Sequence, residues 1–187
     1  GRWLDKANIE MLSAQHLYDT DVKVIIKNAD NSNERQCRQI DSLVDEGVDL
    51  LVVSPNDYHA LNKSLQRAHD KNIPIVFYDR ITAMNDYTAY IGGDNVEAGR
   101  KMAEYAAMLC RDSVKAEGRR PIVLEMSGPS DMSPAVQRHS GFSETMKQYP
   151  SIEYHHVPGQ WSYDDCKRIM QRWLKDGKNV DVVFCHS

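Results

Sequence analysis

Leu50-Leu51-Val52-Val53, followed after a polar stretch by Ile75-Val76-Phe77-Tyr78, is the passage on which the fold turns. Each run is short, apolar and rich in branched or aromatic side chains, and each ends abruptly, in Ser54-Pro55 and in Asp79-Arg80. Such runs suit strands buried on both faces of a parallel sheet. Similar runs lie on either side, at Val22 to Ile26 (interrupted only by Lys23), at Ile122 to Leu124 and at Val182 to Cys185. Between them, apolar residues step by alternating threes and fours: Leu4, Ala7, Met11, Ala14 and Tyr18; Cys37, Ile40 and Val44; Ala98, Met102, Tyr105 and Leu109. That spacing predicts amphipathic helices.

Helix starts are marked by Asn31-Ser32-Asn33-Glu34, Asp94-Asn95-Val96-Glu97 and Ser162-Tyr163-Asp164-Asp165, each with a capping side chain three residues ahead of an acid. Ser133-Pro134 reads as a cap followed by proline at the first helical position, and Gly47 and Gly177 as stops. Alternating strands and helices imply right-handed crossovers and an α/β, doubly wound parallel architecture. After Ile75 to Tyr78 the alternation breaks. A polar connection, Ile81 to Tyr87, leads through Thr88-Ala89-Tyr90-Ile91-Gly92-Gly93 to the capped helix at Asp94. The break predicts two lobes, residues 1–93 and 94–187. The first element is a helix with no strand before it and the last a strand with nothing to cover it, so both lobes are expected to be incomplete and the chain a piece of a longer protein.

Composition narrows the partners. Of the 187 residues 41% are hydrophobic and 27% charged, which is the balance of a globular protein able to bury a core. Lys plus Arg is 23 against 27 acidic residues, and no basic cluster exceeds pairs such as Arg119-Arg120, which argues against nucleic acid or an anionic membrane as partner. No apolar run reaches the length of a membrane span, and Gly1-Arg2-Trp3-Leu4 lacks the features of a signal peptide. Cys37, Cys110, Cys166 and Cys185 are widely spaced and lie in apolar segments, so they read as buried free thiols rather than a disulfide frame or metal site.

In open parallel sheets, ligands bind beyond the carboxyl ends of the strands. Asp79 and Arg80 follow one strand directly, Trp161 follows the weaker strand around Ile152 to Val157, and Arg138 lies about one turn into the helix begun at Ser133-Pro134. Trp3, at the start of the first helix, completes the set. Charged groups form strong directed hydrogen bonds to hydroxyls, and indole faces cover the C–H faces of a sugar ring. The bland alternatives are a surface ion pair for Asp79 and Arg80, packing or rim roles for the two tryptophans, and a solvated helix face for Arg138. Their common place on one sheet edge favours a site.

The common hydrolase, nucleotide-binding and metalloprotease motifs are absent, and no titratable pair suited to acid and base chemistry stands out, so neither an enzyme nor a cofactor is expected. No metal site is expected either. His155-His156 is the tempting motif, but neighbours on a strand point to opposite faces and cannot readily share one ion. Gly92-Gly93-Asp94-Asn95 opens a helix, yet Asp94 would repel a phosphate there.

The stretches Gly47-Val48-Asp49-Leu50-Leu51-Val52-Val53-Ser54-Pro55 and Asn72-Ile73-Pro74-Ile75-Val76-Phe77-Tyr78-Asp79-Arg80 closely resemble the ribose-binding branch of the type I periplasmic binding proteins. Tyr90-Ile91-Gly92-Gly93-Asp94-Asn95 and Arg138-His139-Ser140-Gly141-Phe142 extend the resemblance, which runs over essentially the whole chain, with Asp79-Arg80 its most specific motif. It implies a periplasmic protein of two lobes that close around a monosaccharide. Asp79, Arg80 and Arg138 match hydroxyl-binding positions, Trp161 an aromatic wall, and Trp3 an aromatic at the start of the first helix. The family's first strand, and ligand residues beyond the strand ending at His186-Ser187, are absent from this chain. Thr88 to Gly92 taken with Pro134 to His139 looks most like the periplasmic sensor domains of hybrid two-component systems in gut Bacteroidetes. That likeness implies signalling to a histidine kinase, through a homodimer or a partner domain, with the membrane reached only through segments outside this chain. A sugar-transporter binding protein and the effector domain of a lactose-repressor-like regulator share the fold and stay open as readings.

Overall fold

A computed structural model describes residues 2–17 and 22–186, and the side chains of all of these except 2–5 and 112–117. The elements in chain order are α1 (Arg2–Leu17), α2 (Asn33–Glu46), β1 (Leu51–Val53), α3 (Asn62–Asp70), β2 (Ile75–Tyr78) and β3 (Ala89–Ile91), then α4 (Asn95–Glu117), β4 (Ile122–Ser127), α5 (Ser133–Met146), β5 (Glu153–Pro158), α6 (Tyr163–Lys175) and β6 (Val182–Cys185). The strands form two all-parallel sheets, ordered β1-β2-β3 and β5-β4-β6. The α/β class with parallel sheets is as expected.

Capping follows local chemistry, with two shifts. Asp94 and Ser162 cap α4 and α6 by accepting from the backbone N–H groups of Glu97 and Asp165. At α2 the cap is Ser32 rather than Asn31, with Arg35 N as donor. Ser133 does not cap α5. Met132 holds that position, and the Ser133 hydroxyl instead accepts from Ile81 N at 2.9 Å, joining the connection after β2 to the start of α5. Gly47 ends α2 in the left-handed conformation that glycine adopts at no steric cost, and Gly177, at φ 68°, follows the cap of α6.

Three expectations fail. Val22 to Ile26 forms no strand. Among the described residues nothing pairs with it, Val24 N donates to the Gln15 side chain at 2.9 Å, and Val22 and Ile25 are exposed. A run of branched residues makes a strand only where a neighbour completes the ladder. Burial on both faces holds only for the central β4; β1, β2, β3, β5 and β6 all alternate or stay partly exposed. The cysteines are free, but only Cys110 is buried. Cys37 and Cys166 are half-buried and Cys185 is exposed, because alternation along β6 turns Phe184 to the core and Cys185 away from it.

The first core lies between α2, α3 and the first sheet, around Val44, Leu61, Leu65, Ile75 and Phe77. The second sheet packs on both sides, with Val123, Phe142 and Phe184 beneath α4 and α5, and Leu124, Met126 and Trp173 beneath α6.

Candidate ligand-binding site

Asp79 ends β2 at φ 62°, in the left-handed region that aspartate tolerates better than most residues. This turn takes the chain out of the sheet plane; Asp79 N donates to Ile91 O at 2.8 Å, which fastens the bend to β3. Asp79 and Arg80 stand 3.8 Å apart as a loose ion pair. Arg80 is mostly buried, and its Nη1 is buried without a hydrogen-bond partner. From β3, the Tyr90 hydroxyl donates to the carbonyls of Asp79 and Gly93 at 3.2 and 3.3 Å. Burial raises the Tyr90 pKa, the Asp79 charge adds to the rise, and Arg138 opposes it, so both charges act on the one phenol.

Arg138 is held rather than loose. Its Nε donates to Asn95 Oδ1 at 2.8 Å and its Nη1 to the His186 carbonyl at 2.8 Å. His186 is fastened in turn: its Nδ1 accepts from Gly128 N at 3.4 Å, and its Nε2 lies 2.7 Å from Glu125 Oε1. An accepting Nδ1 leaves the proton on Nε2, aimed at the carboxylate. Glu125 also accepts from Tyr154, and His139 Nδ1 lies 2.9 Å from its Oε2. Burial pushes the Glu125 carboxyl upward, but the hydrogen bonds from His186, Tyr154 and His139 outweigh it and hold the pKa below the usual carboxylate value. Burial and the Glu125 charge push the Tyr154 phenol far up.

Gln160 and Trp161 both adopt positive φ, 55° and 53°, an uncommon pair for side chains larger than glycine. The turn lays the indole against Gly128 at the end of β4, where a Cβ would come within 2.2 Å of it. Trp161 Nε1 is buried and unpartnered.

The strand ends thus bring together Asp79, Arg80, Arg138 and Trp161, linked through Tyr90, Asn95, His186 and Gly128. Trp3 lies in α1, but its side chain is outside the described residues. Ser54 and Asn56 escaped the sequence reading, and each carries a buried unpartnered atom just after β1. Their position after the run Leu50 to Val53 was the available signal. His186 carried the same signal, directly after the run Val182 to Cys185, whereas Asn95 had none, since its role depends on the packing of α4 against α5. A concavity of about 510 Å³ lies elsewhere, between β5 and α6, lined by Val157, Arg168, Ile169 and Trp173. It reaches the carboxyl end of β5 at Pro158 and Gln160 but shares no residue with the linked set and takes most of its remaining lining from α6, so the linked strand-end residues are the better candidates.

Two parallel sheets whose strand ends gather polar and aromatic groups define the class of sheet-edge ligand-binding proteins. The chain belongs to the periplasmic binding protein family, whose domain matches residues 3–187. It is 27% identical to the ribose import binding protein of Bacillus subtilis over 168 residues, 89% of this chain and 52% of that protein. With the D-xylose-binding periplasmic protein of Escherichia coli it shares 30% identity over 192 residues, all of this chain and 55% of that one. The fructose-binding periplasmic domain of a hybrid two-component system superposes with a TM-score of 0.82 at 31% identity, covering 99% of this chain and 59% of that structure. The chain spans about half the length of the curated relatives it matches. No helix among the described residues is long and apolar enough to cross a membrane.

Proposed function

We propose that the parent protein of this chain binds a neutral monosaccharide between two lobes divided near residue 93, in the periplasm, and reports occupancy to a histidine kinase. The observation that carries this reading is the pair of buried unpartnered donors, Arg80 Nη1 on the first lobe and Trp161 Nε1 on the second, both at strand ends. A buried donor without an acceptor costs about 1–3 kcal/mol, which a sugar hydroxyl placed between the lobes would recover. Asp79 and Arg138 supply the charge-assisted hydrogen bonds, Trp161 the aromatic face, and Trp3 a second aromatic. None of these residues is assigned a catalytic role.

The family relatives support the ligand class, being named for ribose and D-xylose. The sensor role rests on the likeness to the fructose-binding domain of a two-component system. A transporter's binding protein is the second reading, favoured by the ribose import relative. Calorimetry of the parent protein across a panel of pentoses, hexoses, nucleotides and amino acids tests the ligand class. Saturable binding of a sugar is expected, and binding of nucleotides or amino acids with no sugar bound would overturn it. Sugar-dependent autophosphorylation of the parent would decide for the sensor over the transporter reading.

A further inference from the structure

Beneath α5 the second sheet carries a cluster to which the sugar reading assigns no ligand contact, although Glu125 in it also supports His186. Glu125, 0% exposed, sits in the middle of β4, and the register sets it beside His156 on β5. Paired residues in adjacent strands face the same way, so both side chains rise toward α5. From α5, His139 brings its Nδ1 to 2.9 Å from Glu125 Oε2. The His139 and His156 rings stack at 4.1 Å between centroids and 28° between planes. One ligand atom from each of the three residues lies within 4.8 Å of the others. The neighbouring His155 does not take part; it pairs with Glu153 at 2.6 Å and meets Trp173 edge-on.

We propose that Glu125, His139 and His156 bind a divalent transition-metal ion of the zinc type, with water completing the shell. Two imidazoles and a carboxylate from three separate elements are a zinc donor set. Glu125 keeps two partners when Oε2 turns to a metal, His186 at 2.7 Å and Tyr154, and these fix the carboxylate as outer-shell groups do. Bonds of about 2.0–2.1 Å set tetrahedral ligands roughly 3.3 Å apart. The 2.9 Å pair must therefore part slightly, while the widest separation, up to 4.8 Å, must contract. His156 can supply that movement, because it lies at the surface and Ser127 Oγ, 2.8 Å from its Nε2, is its hydrogen-bonding neighbour. The same exposure gives the ion a way in.

Zinc titration of the chain by calorimetry, with metal content measured after dialysis, tests the site. One equivalent of Zn²⁺ per chain is expected. His156→Ala and His139→Ala should each weaken binding by about tenfold or more, while His155→Ala leaves it unchanged. Glu125→Gln disturbs the core, so the exposed His156 carries the decision, with circular dichroism to show that the variant is folded. Zinc content near zero, binding unaffected by His156→Ala and His139→Ala, or binding abolished by His155→Ala would each overturn the proposal. The readout is independent of sugar, so failure of the sugar reading leaves it untouched.

Discussion

At Trp161 the indole rests on the backbone of Gly128 with its ring nitrogen buried and unpaired, so ring and N–H can be separated by substitution. Trp161→Phe keeps much of the packing and deletes the orphan donor. The unliganded melting temperature should stay level or rise, since an unsatisfied buried donor costs about 1–3 kcal/mol, while sugar affinity of the parent falls by about tenfold. A large drop in melting temperature would give the N–H a structural role. Arg138→Ala should weaken sugar binding by roughly ten- to a hundredfold, the size of one charged hydrogen bond. Unaltered affinity in calorimetry would remove Arg138 from the site. Asp79, Arg80, Arg138 and Trp161 could be singled out as candidates because each lies just past a strand or near a helix start, a position that sequence reveals. The Glu125 cluster was not, because strand register and the fall of α5 across the sheet bring His139 and His156 together, while the sequence draws the eye to the adjacent His155-His156.

Helices α4 and α5 touch backbone to backbone. A Cβ on Gly99 would lie 2.1 Å from the Arg138 carbonyl oxygen, and one on Gly141 would lie 2.0 Å from that of Val96. Glycine inside a helix ordinarily costs about 1 kcal/mol relative to alanine, yet here alanine has no room. Gly141→Ala should therefore destabilise the chain by about 1–3 kcal/mol, read as a fall of several degrees in melting temperature. It should also weaken sugar binding, because it pushes away the helix that carries Arg138. A melting temperature equal to or above wild type would show that the crossing can relax. Apart from α3, which begins after Leu61 without a side-chain cap, the helices and most strands were readable from spacing and caps, since both are local properties. Helix crossings and the unpaired fate of Val22 to Ile26 depend on neighbours distant in sequence, and a one-dimensional pattern does not contain them.

On the scale of the whole molecule, a charge pair among the described residues ties the amino end of the second sheet. Arg119 holds Asp181 through both Nη atoms at 2.8 and 2.7 Å, and Ile122 N donates to the same carboxylate at 2.7 Å. The Arg119 hydrogen bonds come first among the causes, opposed by burial and aided by the Ile122 N–H, and they hold the Asp181 pKa below its ordinary value. A depressed folded pKa contributes stability above the unfolded value of about 3.9 and loses it as pH falls through the folded one. Asp181→Asn should accordingly cost about 1.5–3 kcal/mol at neutral pH, and the gap to wild type should close below about pH 4. Denaturant melts at pH 7 and pH 3 would check this, and a gap of constant size would refute it.

The Ser133 hydroxyl that accepts from Ile81 is the first residue of α5, and Arg138 lies five residues further along the same rigid rod. At 1.5 Å per residue the lever is about 7.5 Å long, so a rotation of roughly 20° about that fulcrum would swing the Arg138 backbone by about 2.6 Å. That travel is close to the difference between a guanidinium touching a hydroxyl and one separated from it by a water molecule. Ser133→Ala would remove this link and leave the helix intact, while Tyr58 N, donating to the Asp131 carbonyl at 2.8 Å, still joins the two regions.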